Sequence, residues 1–323
     1  MRRNVGIKSD STMNNPTVAI LIPCYNEAAT IGRVVCDFHS LLPTARICIC
    51  DNNSTDNTAE EAQKSGAMVL HEWFQGKGHA VRRLFSEIEA DVYVLVDGDA
   101  TYEYASAPKM IETLVNEKLD MVVGTRQADH DSTAFPRGHV FGNRLLSWFM
   151  GLLFGTRFTD VLSGYRVFSR RFVKSFPALA TGFETETELS IHALSLRMPV
   201  AEIPTPYKAR PENSNSKLHT WRDGLRILTT IVSLFKGERP LIFFSIGFIL
   251  LAGLSLVLGY PVVMEFLKTG QVPRFPTAIL ATGIMLLAFL SLTCGFILET
   301  VTRGRREMKR LFYLGIPGIG NDD

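Results

Sequence analysis

Two long uncharged segments constrain most strongly what this chain of 323 residues can fold into. Pro240 to Met264 is a run of 25 residues without Asp, Glu, Lys or Arg, and Phe275 to Leu298 is a second run of 24. About 20 helical residues cross a hydrocarbon core of about 30 Å. Two buried core helices are the alternative, but core helices are rarely this long and apolar on every face. The sequence therefore predicts a transmembrane hairpin of two helices.

The charged residues beside these segments predict their orientation. Lys236 and Arg239 precede the first segment, and the loop between the two contains only Lys268 and Arg274. The second segment is followed by Arg303, Arg305, Arg306, Lys309 and Arg310. Because basic residues accumulate on the cytoplasmic side, both termini are predicted to be cytoplasmic. Residues 1–15 are polar and lack an apolar core, so we expect a disordered N-terminus rather than a signal peptide.

The residues before the membrane segments alternate short apolar strands with helical stretches. The predicted strands are Thr17 to Ile22, Ala45 to Cys50, Met68 to His71, Val92 to Val96 and Met121 to Gly124. This alternation is typical of an α/β domain with a mainly parallel sheet covered by helices. In such sheets, ligands bind beyond the carboxyl ends of the strands. We therefore expect a functional site at that edge.

The fourth predicted strand runs directly into two carboxylates, Asp97 and Asp99. Side chains at i and i+2 of an extended chain point the same way, so both can reach one Mg²⁺ or Mn²⁺ ion. A cation held there could neutralise a diphosphate leaving group. Acidic turns after strands are also common as solvated structure, so the pair gains weight only from the neighbouring motifs.

The other three strands also end in polar motifs. The first ends in Pro23-Cys-Tyr-Asn-Glu27, the second in Asp51-Asn-Asn-Ser-Thr-Asp56, and the third leads to Gln75-Gly-Lys-Gly78. Capping of the next helix explains Ser54. It does not explain Asp51, whose carboxylate at the strand exit can accept a hydrogen bond from a nucleobase imide. Gly-Lys-Gly supplies a cation and permits close backbone approach, although it also forms ordinary turns.

Taken in order, these motifs resemble glycosyltransferase family 2, whose GT-A fold transfers a sugar from a nucleoside diphosphate. The resemblance covers Val18 to Lys217 and is closest to the dolichyl-phosphate mannose synthase and polyprenyl-phosphate glycosyltransferase branch. Three later segments carry the narrower resemblance, together with the membrane segments. They are Thr159-Asp-Val-Leu-Ser-Gly-Tyr-Arg166, Gly182-Phe-Glu-Thr-Glu186 and Ser216-Lys-Leu218.

The resemblance implies roles for individual residues at the donor site. The donor is expected to contact Pro23, Tyr25, Glu27, Asp51, Asn53, Lys77, Asp97 and Gly98. Asp51 would read the base, and Lys77 would lie near the ribose or the diphosphate. Asp97 and Asp99 would bind Mg²⁺ or Mn²⁺ on the diphosphate. Members with Asp-Ala-Asp-Leu-Gln use the final Gln as a further ligand, but this chain has Thr101 there, which leaves the metal preference open.

A lipid phosphate as acceptor changes what the site must contain. Its oxygen is already anionic at neutral pH, so strong deprotonation by a general base is less necessary than for a sugar hydroxyl. The site instead needs cations that hold and align the acceptor. The candidates are Arg126, Arg144, Arg166 and Lys217. Any one of them could instead serve a surface or helix-cap role.

Three residues are predicted to be catalytic, namely Asp99, Asp160 and Arg126. Asp160 matches the acidic position that the family places near the acceptor, and it could orient the acceptor, act as a base, or pin Arg166. Glu184 lies four residues before Glu188 on one predicted helix, and it is a further weak candidate because most such acidic pairs are solvated.

Membrane geometry points to a lipid acceptor independently. Phe141 to Phe154 surrounds Arg144 with apolar and aromatic residues, which is typical of a helix in the headgroup region, with core packing as the rival interpretation. The predicted layout is a disordered N-terminus (1–15), a GT-A domain (16–219), a juxtamembrane amphipathic helix (220–239), a transmembrane hairpin (240–300) and a basic cytoplasmic tail (301–323). Gly247, Gly253 and Gly259 could serve close helix packing or contacts within a homo-oligomer.

Charge and cysteine content narrow the class further. The formal net charge is only +2, so nucleic acid is not expected as a partner. None of the five cysteines forms the C-x2-C spacing of a zinc site, and we expect free thiols without a disulfide. Cys48 and Cys50 lie in an apolar run, where burial as small hydrophobic side chains is their expected role.

The sequence therefore predicts a membrane-anchored, metal-dependent, inverting glycosyltransferase. It would move one hexose from a UDP- or GDP-sugar to polyprenyl phosphate. A processive polysaccharide synthase is one alternative, but such enzymes usually carry Gln-x-x-Arg-Trp, which does not occur here. A sugar nucleotidyltransferase would need a Gly-rich phosphate loop after the first strand, and Pro-Cys-Tyr-Asn-Glu is not such a loop. The non-enzymatic alternative is a membrane scaffold with a degenerate transferase domain, which would show no metal-dependent binding of a nucleotide sugar.

Overall fold

The computed structural model describes residues 16–128, 145, 147–152, 155, 158–182, 184–207, 229–230 and 232–320. These residues divide into two units. The first is drawn from the chain up to residue 136, from 159–215 and from 312 onward, and the second from 137–158 and 216–311.

A sheet of seven strands forms the centre of the first unit. The strands are β1 (Val18–Cys24), β2 (Arg46–Asp51), β3 (Met68–His71), β4 (Val92–Leu95), β5 (Met121–Ala128), β6 (Arg166–Ser169) and β7 (Val200–Tyr207). Their order across the sheet is β3-β2-β1-β4-β6-β5-β7. All neighbours pair in parallel except β6, which runs antiparallel to both β4 and β5. The predicted α/β class with a mainly parallel sheet is confirmed.

Helices follow most of these strands. They are α1 (Ile31–Leu41), α2 (Thr58–Lys64), α3 (Lys77–Glu87), α4 (Ala107–Asn116), α5 (Arg170–Ser175) and α6 (Thr185–Leu196). In α1, the apolar residues recur at helical spacing, so Ile31, Val34, Val35 and Phe38 form one buried face. This face joins the buried strand residues Ile20, Ile49 and Val94 in the main apolar core.

The five predicted strands are all present, with ends that differ by a few residues. Sequence reasoning missed β6 and β7. β6 has only four residues and begins with an arginine, and β7 contains Pro204 and Pro206, which usually argue against a strand. β7 lies at the edge of the sheet, where a residue without a backbone N–H is tolerated.

The reversed direction of β6 positions the candidate site. Because β6 is antiparallel to β4, the residues just before Arg166 reach the edge where β4 ends. The same edge receives the residues that follow β1, β2 and β5. The segment from Thr159 to Tyr165 therefore lies with the motifs that end the parallel strands.

The second unit contains α7 (Pro240–Thr269) and α8 (Phe275–Leu314) up to residue 311, and both helices are long and apolar enough to cross a membrane. Little of either apolar stretch is buried by the rest of the described chain, unlike a core helix. Hydroxyl groups link the two helices, since Ser255 Oγ donates to the Ala281 carbonyl at 2.7 Å and Ser291 Oγ to that of Phe244 at 3.0 Å.

The second helix extends beyond the predicted hairpin boundary at residue 300. It continues to Leu314 and has 40 residues, which corresponds to about 60 Å at about 1.5 Å per residue. The basic residues therefore belong to the same helix. Of the three glycines assigned to close packing, Gly247 faces Ser291 Oγ and Gly259 faces Ala281, whereas an added Cβ at Gly253 would meet nothing within 4 Å among the described residues.

Residues 145 and 147–152 of the predicted headgroup helix are helical, and the other positions of 141–154 are not described. Trp148 and Leu152 are exposed and Met150 is buried, so this short segment has one apolar face that nothing in the described chain covers. The ring of Phe149 packs edge-on against that of Phe235, at 5.8 Å between centroids. The predicted N-terminal residues 1–15, and residues 220–228 and 231 of the predicted juxtamembrane helix, lie outside the described residues.

Candidate active site

At the carboxyl ends of the parallel strands, the loop after β1 is hydrogen-bonded to the residues that follow β4 and to those that follow β2. The hydroxyl of Thr30 donates to the carbonyl of Gly98 at 2.7 Å, and the backbone N–H of Glu27 donates to Thr58 Oγ1 at 2.8 Å. Pro23, Tyr25 and Glu27 are partly buried here, as expected for the wall of a donor pocket. An added Cβ at Gly98 would lie 2.9 Å from Cys24 Sγ, so this loop approaches β1 too closely for a larger residue.

Lys77 connects two carboxylates at this edge. Its Nζ lies 2.5 Å from Asp97 Oδ1 and also contacts Glu186 Oε1. Burial tends to lower the pKa of Lys77, but the charges of Asp97 and Glu186 outweigh burial and raise that pKa above its usual value. The side chain is therefore an ammonium held between two acids. The sequence analysis named Lys77 and Asp97, but it gave Glu186 no role of its own.

Asp99 is buried and oriented by its own turn. Thr101 donates to Asp99 Oδ1 through its hydroxyl at 2.6 Å and through its backbone N–H at 3.2 Å. Ala100, between them, has a φ of 57°, in the left-handed region that favours glycine. Thr101 is fully buried, so its hydroxyl serves to orient Asp99 in this structure.

A divalent cation fits these residues. Asp97 and Asp99 offer carboxylate oxygens, the hard ligands that Mg²⁺ and Mn²⁺ prefer, and Mg²⁺ is usually held by one or two carboxylates plus substrate phosphates. The described residues contain no group of three or more His, Cys, Asp or Glu side chains that could hold a metal ion. The donor set therefore suits an ion that a bound diphosphate helps to hold. The assignment of metal ligands stays a prediction.

Asp51 is the last residue of β2, and its two carboxylate oxygens differ in their contacts. Its Oδ2 lies 3.5 Å from Nδ1 of His71, and its Oδ1 is buried without a hydrogen-bond partner among the described residues. A buried acceptor without a partner costs roughly 1–3 kcal/mol. An incoming N–H donor would remove that cost, which fits the predicted contact with a nucleobase imide.

The neighbouring Asn52 fixes the turn that carries Lys77. Its amide donates to the carbonyl of Phe74 at 2.8 Å, and its Oδ1 accepts from the N–H of Gly76 at 2.6 Å. Asn52 is buried, whereas the predicted donor ligand Asn53 is exposed in the left-handed region at φ 60°. The sequence predicted a donor contact for Asn53, which stays a prediction. It did not predict that Asn52 fixes this turn.

Arg126 and Asp160 form a paired ion bridge next to the end of β5. Asp160 Oδ2 accepts from Arg126 Nε and Oδ1 accepts from Nη2, both at 2.8 Å. The guanidinium also lies over the ring of Tyr207, 5.6 Å from its centroid. Burial tends to lower the pKa of Arg126, but the hydrogen bonds and charge of Asp160 raise it. Asp160 therefore holds Arg126 rather than Arg166.

Arg166 does not fit the predicted acceptor role. It is fully buried at the start of β6, and its guanidinium donates to the carbonyls of Ser163 and Val161 and to Ser190 Oγ. Burial lowers its pKa to about 10, so it remains charged at neutral pH. We do not retain Arg166 among the proposed acceptor ligands, because its donors already serve to hold the chain that leads into β6.

Two other candidates, Arg144 and Lys217, lie outside the described residues. Glu184 is the residue that precedes α6, and its backbone carbonyl accepts from the N–H of Glu188 at 2.9 Å. The carboxylate of Glu188 accepts from the backbone N–H groups of Leu179 and Ala180, at 3.0 and 2.8 Å. Glu186, in the first turn of the same helix, contacts Lys77.

The segment before β6 also packs against Asp97. The backbone N–H of Gly164 donates to the hydroxyl of Tyr102 at 2.9 Å. A Cβ at Gly164 would overlap the Asp97 carboxylate, so only glycine allows this approach. The Ser-Gly-Tyr-Arg motif therefore contributes a backbone wall to the site.

All five cysteines are free. Burial raises the pKa of Cys48 to about 11 and that of Cys50 to about 12, so both thiols stay protonated at neutral pH. They behave as small hydrophobic side chains, in agreement with the sequence analysis.

The fold is that of GT-A glycosyltransferases. The model of the family described as "Glycosyl transferase family 2" matches residues 19–175. The chain is 34% identical over 300 residues to glycosyltransferase AglJ of Haloferax volcanii, and the match covers 91% of this chain and 97% of that protein. A dolichyl-phosphate hexose transferase of the same organism is 30% identical over 223 residues, spanning 69% of this chain and 95% of the relative.

Solved structures share the fold. Glucosyl-3-phosphoglycerate synthase of Mycobacterium tuberculosis, in complex with Mn²⁺, UDP and glucosyl-3-phosphoglycerate, has a TM-score of 0.55. It is 23% identical, and the match covers 68% of this chain and 79% of that chain. The protein described here belongs to glycosyltransferase family 2, which confirms the resemblance found in its sequence.

Proposed function

We propose that this protein moves a single hexose from a UDP- or GDP-sugar to a polyprenyl phosphate, with inversion at the anomeric carbon. The observation that carries the proposal is the Arg126–Asp160 pair. Asp160 occupies the acidic position that the family places near the acceptor. Its two carboxylate oxygens accept hydrogen bonds from the Arg126 guanidinium, both at 2.8 Å. Such a site offers a cation to the acceptor rather than a base, which suits an acceptor that is already anionic.

The residues at the donor edge fit a nucleoside diphosphate. The unpaired Oδ1 of Asp51 accepts the imide N–H of the base, an N–H that both uracil and guanine present. Asp97 and Asp99 hold Mg²⁺ or Mn²⁺, which supplies positive charge to the leaving diphosphate when bound. Thr101 keeps Asp99 in the required orientation. Arg126 holds the acceptor phosphate in line with the donor sugar, and the predicted Arg144 and Lys217 would assist it.

The acceptor is proposed to come from the membrane. The helices α7 and α8 are long and apolar enough to cross it, and the exposed Trp148 and Leu152 suit the headgroup region. A relative that is named a dolichyl-phosphate hexose transferase supports a lipid acceptor. We place the catalytic unit and both termini on the cytoplasmic side, because of the basic residues that flank the apolar segments.

Purified full-length protein tests this proposal directly. It is incubated with polyprenyl phosphate, Mg²⁺ or Mn²⁺, and a panel of UDP- and GDP-sugars, and the lipid product is analysed by mass spectrometry. We expect one hexose added to the lipid phosphate with one donor. Products longer than one sugar would favour the processive synthase, and absence of metal-dependent nucleotide-sugar binding by calorimetry would favour the non-enzymatic scaffold.

A further inference from the structure

Glu186 is a buried carboxylate that the proposed reaction does not yet use. It lies in the first turn of α6, and its side chain is 7% exposed. Its Oε1 contacts Nζ of Lys77, whose side chain is 14% exposed, and Lys77 in turn contacts Asp97. One ammonium is therefore shared between an acid assigned to the metal and an acid with no other assigned role.

The backbone fixes Lys77 close to Glu186. An added Cβ at Gly76 or Gly78 would overlap the carbonyl oxygen of Thr181 or Ala180, so the start of α3 packs directly against the segment before α6. Gly76 has a φ of 142°, which favours glycine. These glycines bring two backbones together, and that contact places the lysine within reach of Glu186.

The sharing of Lys77 has a consequence when a cation arrives. A divalent cation bound by Asp97 would compete with the ammonium for that carboxylate, because the two positive charges repel each other. Lys77 must then move away from Asp97. A buried ammonium without a partner would be costly, and Glu186 supplies the partner that remains.

We propose that Glu186 is a positioning residue: it retains Lys77 when Asp97 takes up the divalent cation, and so directs the ammonium toward the diphosphate of the donor. Lys77 would thereby lose its contact with Asp97 and keep its contact with Glu186. The inference rests on the proposed function, since it requires a metal-bound nucleoside diphosphate at this edge.

Two binding measurements on the full-length protein in detergent test this inference. Binding of Mn²⁺ alone is followed by the electron paramagnetic resonance signal of the free ion. Binding of UDP, with GDP in parallel, is measured by calorimetry at saturating Mn²⁺. The variants are Lys77→Met, Glu186→Gln and the double variant. Glu188→Gln is the matched control, since it makes the same change on the same helix and its carboxylate holds the backbone N–H groups of Leu179 and Ala180.

The expected signs differ between the variants. Lys77→Met removes the competitor of the metal, so it should bind Mn²⁺ alone more tightly but bind the nucleotide diphosphate about tenfold more weakly. Glu186→Gln should weaken both, also by about tenfold, because Lys77 then has only Asp97 as a carboxylate partner. In the Lys77→Met background, Glu186→Gln should cause no further loss of nucleotide affinity, since it acts through Lys77.

The outcomes separate the inference from the proposed function. Unchanged Mn²⁺ affinity in Lys77→Met, or losses of nucleotide affinity that add fully in the double variant, would overturn the role of Glu186. Equal effects of Glu186→Gln and Glu188→Gln would do the same. If the unmodified protein bound neither nucleotide in the presence of Mn²⁺, the proposed function itself would fail. The Lys77→Met measurement remains decisive if Glu186→Gln does not fold.

Discussion

Arg126 and Asp160, which are 34 positions apart in sequence, meet through two parallel hydrogen bonds of 2.8 Å. The pair joins the end of β5 to the segment that leads into β6. The side chains of Arg126 and Asp160 are 17% and 8% exposed, so the pair is largely shielded from solvent. The carboxylate fixes the orientation of the guanidinium, which we propose as the group that binds the acceptor phosphate.

Arg126→Lys should raise the KM for polyprenyl phosphate by at least about tenfold, because a lysine lacks the planar fork that binds a carboxylate and a phosphate at once. The affinity for the donor should stay unchanged. Initial rates at varied lipid concentration check this. Arg171→Lys is the matched control, since Arg171 binds Asp120 in the same two-point manner through Nε and Nη2, at 2.5 and 2.9 Å. A rise in KM for the lipid in that control as well would contradict the prediction.

Asp99→Asn should abolish turnover, a loss of at least about 100-fold, while leaving a folded protein. The amide oxygen of Asn can still accept the two hydrogen bonds from Thr101, so only the negative charge is lost. Metal-dependent transfer and thermal unfolding are measured together. Full activity in the presence of added Mg²⁺ or Mn²⁺ would count against the metal assignment.

Asp51→Asn should weaken nucleotide binding by about tenfold without lowering the melting temperature of the ligand-free protein. Oδ1 of Asp51 is buried without a partner among the described residues, so removal of its charge relieves a cost in the empty site. The same change replaces a charged acceptor for the base N–H with a weaker, neutral amide oxygen. Calorimetry and thermal unfolding give the two readouts, and an equal loss of both would indicate a structural role instead.

The position of the polar motifs on the sheet could largely be predicted from the sequence. Apolar runs that end in Asp51 and Asp97 mark two strands and their exits, and parallel strands bring such exits to one edge. Glu186 could not be found this way. It lies in a helix whose residues are almost all buried, so no apolar stripe distinguishes one face. Acids at alternate positions, one just before the helix and two in its first turn, are typical of a solvated helix start.

The ion pairs depend on topology that the local sequence does not reveal. Arg166 is only six positions after Asp160 and is its nearest arginine in the described segment, yet Asp160 pairs with Arg126. The direction of β6 decides this, because Arg166 is carried into the sheet while Asp160 stays at the edge. The short β6 itself has no sequence signature strong enough to predict it.

Arg166→Met should lower the free energy of unfolding by roughly 3 kcal/mol rather than change the KM for the lipid. The guanidinium donates to the carbonyls of Val161 and Ser163, and these acceptors would be left buried and unpaired. Denaturant unfolding of the detergent-solubilised protein measures the loss. A stable variant with a raised KM for polyprenyl phosphate would instead restore Arg166 to the acceptor site.

Gly164→Ala should reduce Mn²⁺-dependent transfer by at least about tenfold, because an added Cβ would overlap the Asp97 carboxylate and displace it. The loss should appear as weaker Mn²⁺ binding with a small change in melting temperature. Gly253→Ala is the matched control, since its Cβ would meet nothing within 4 Å among the described residues. Retained Mn²⁺ affinity in Gly164→Ala would show that the position of Asp97 at this wall does not determine metal binding.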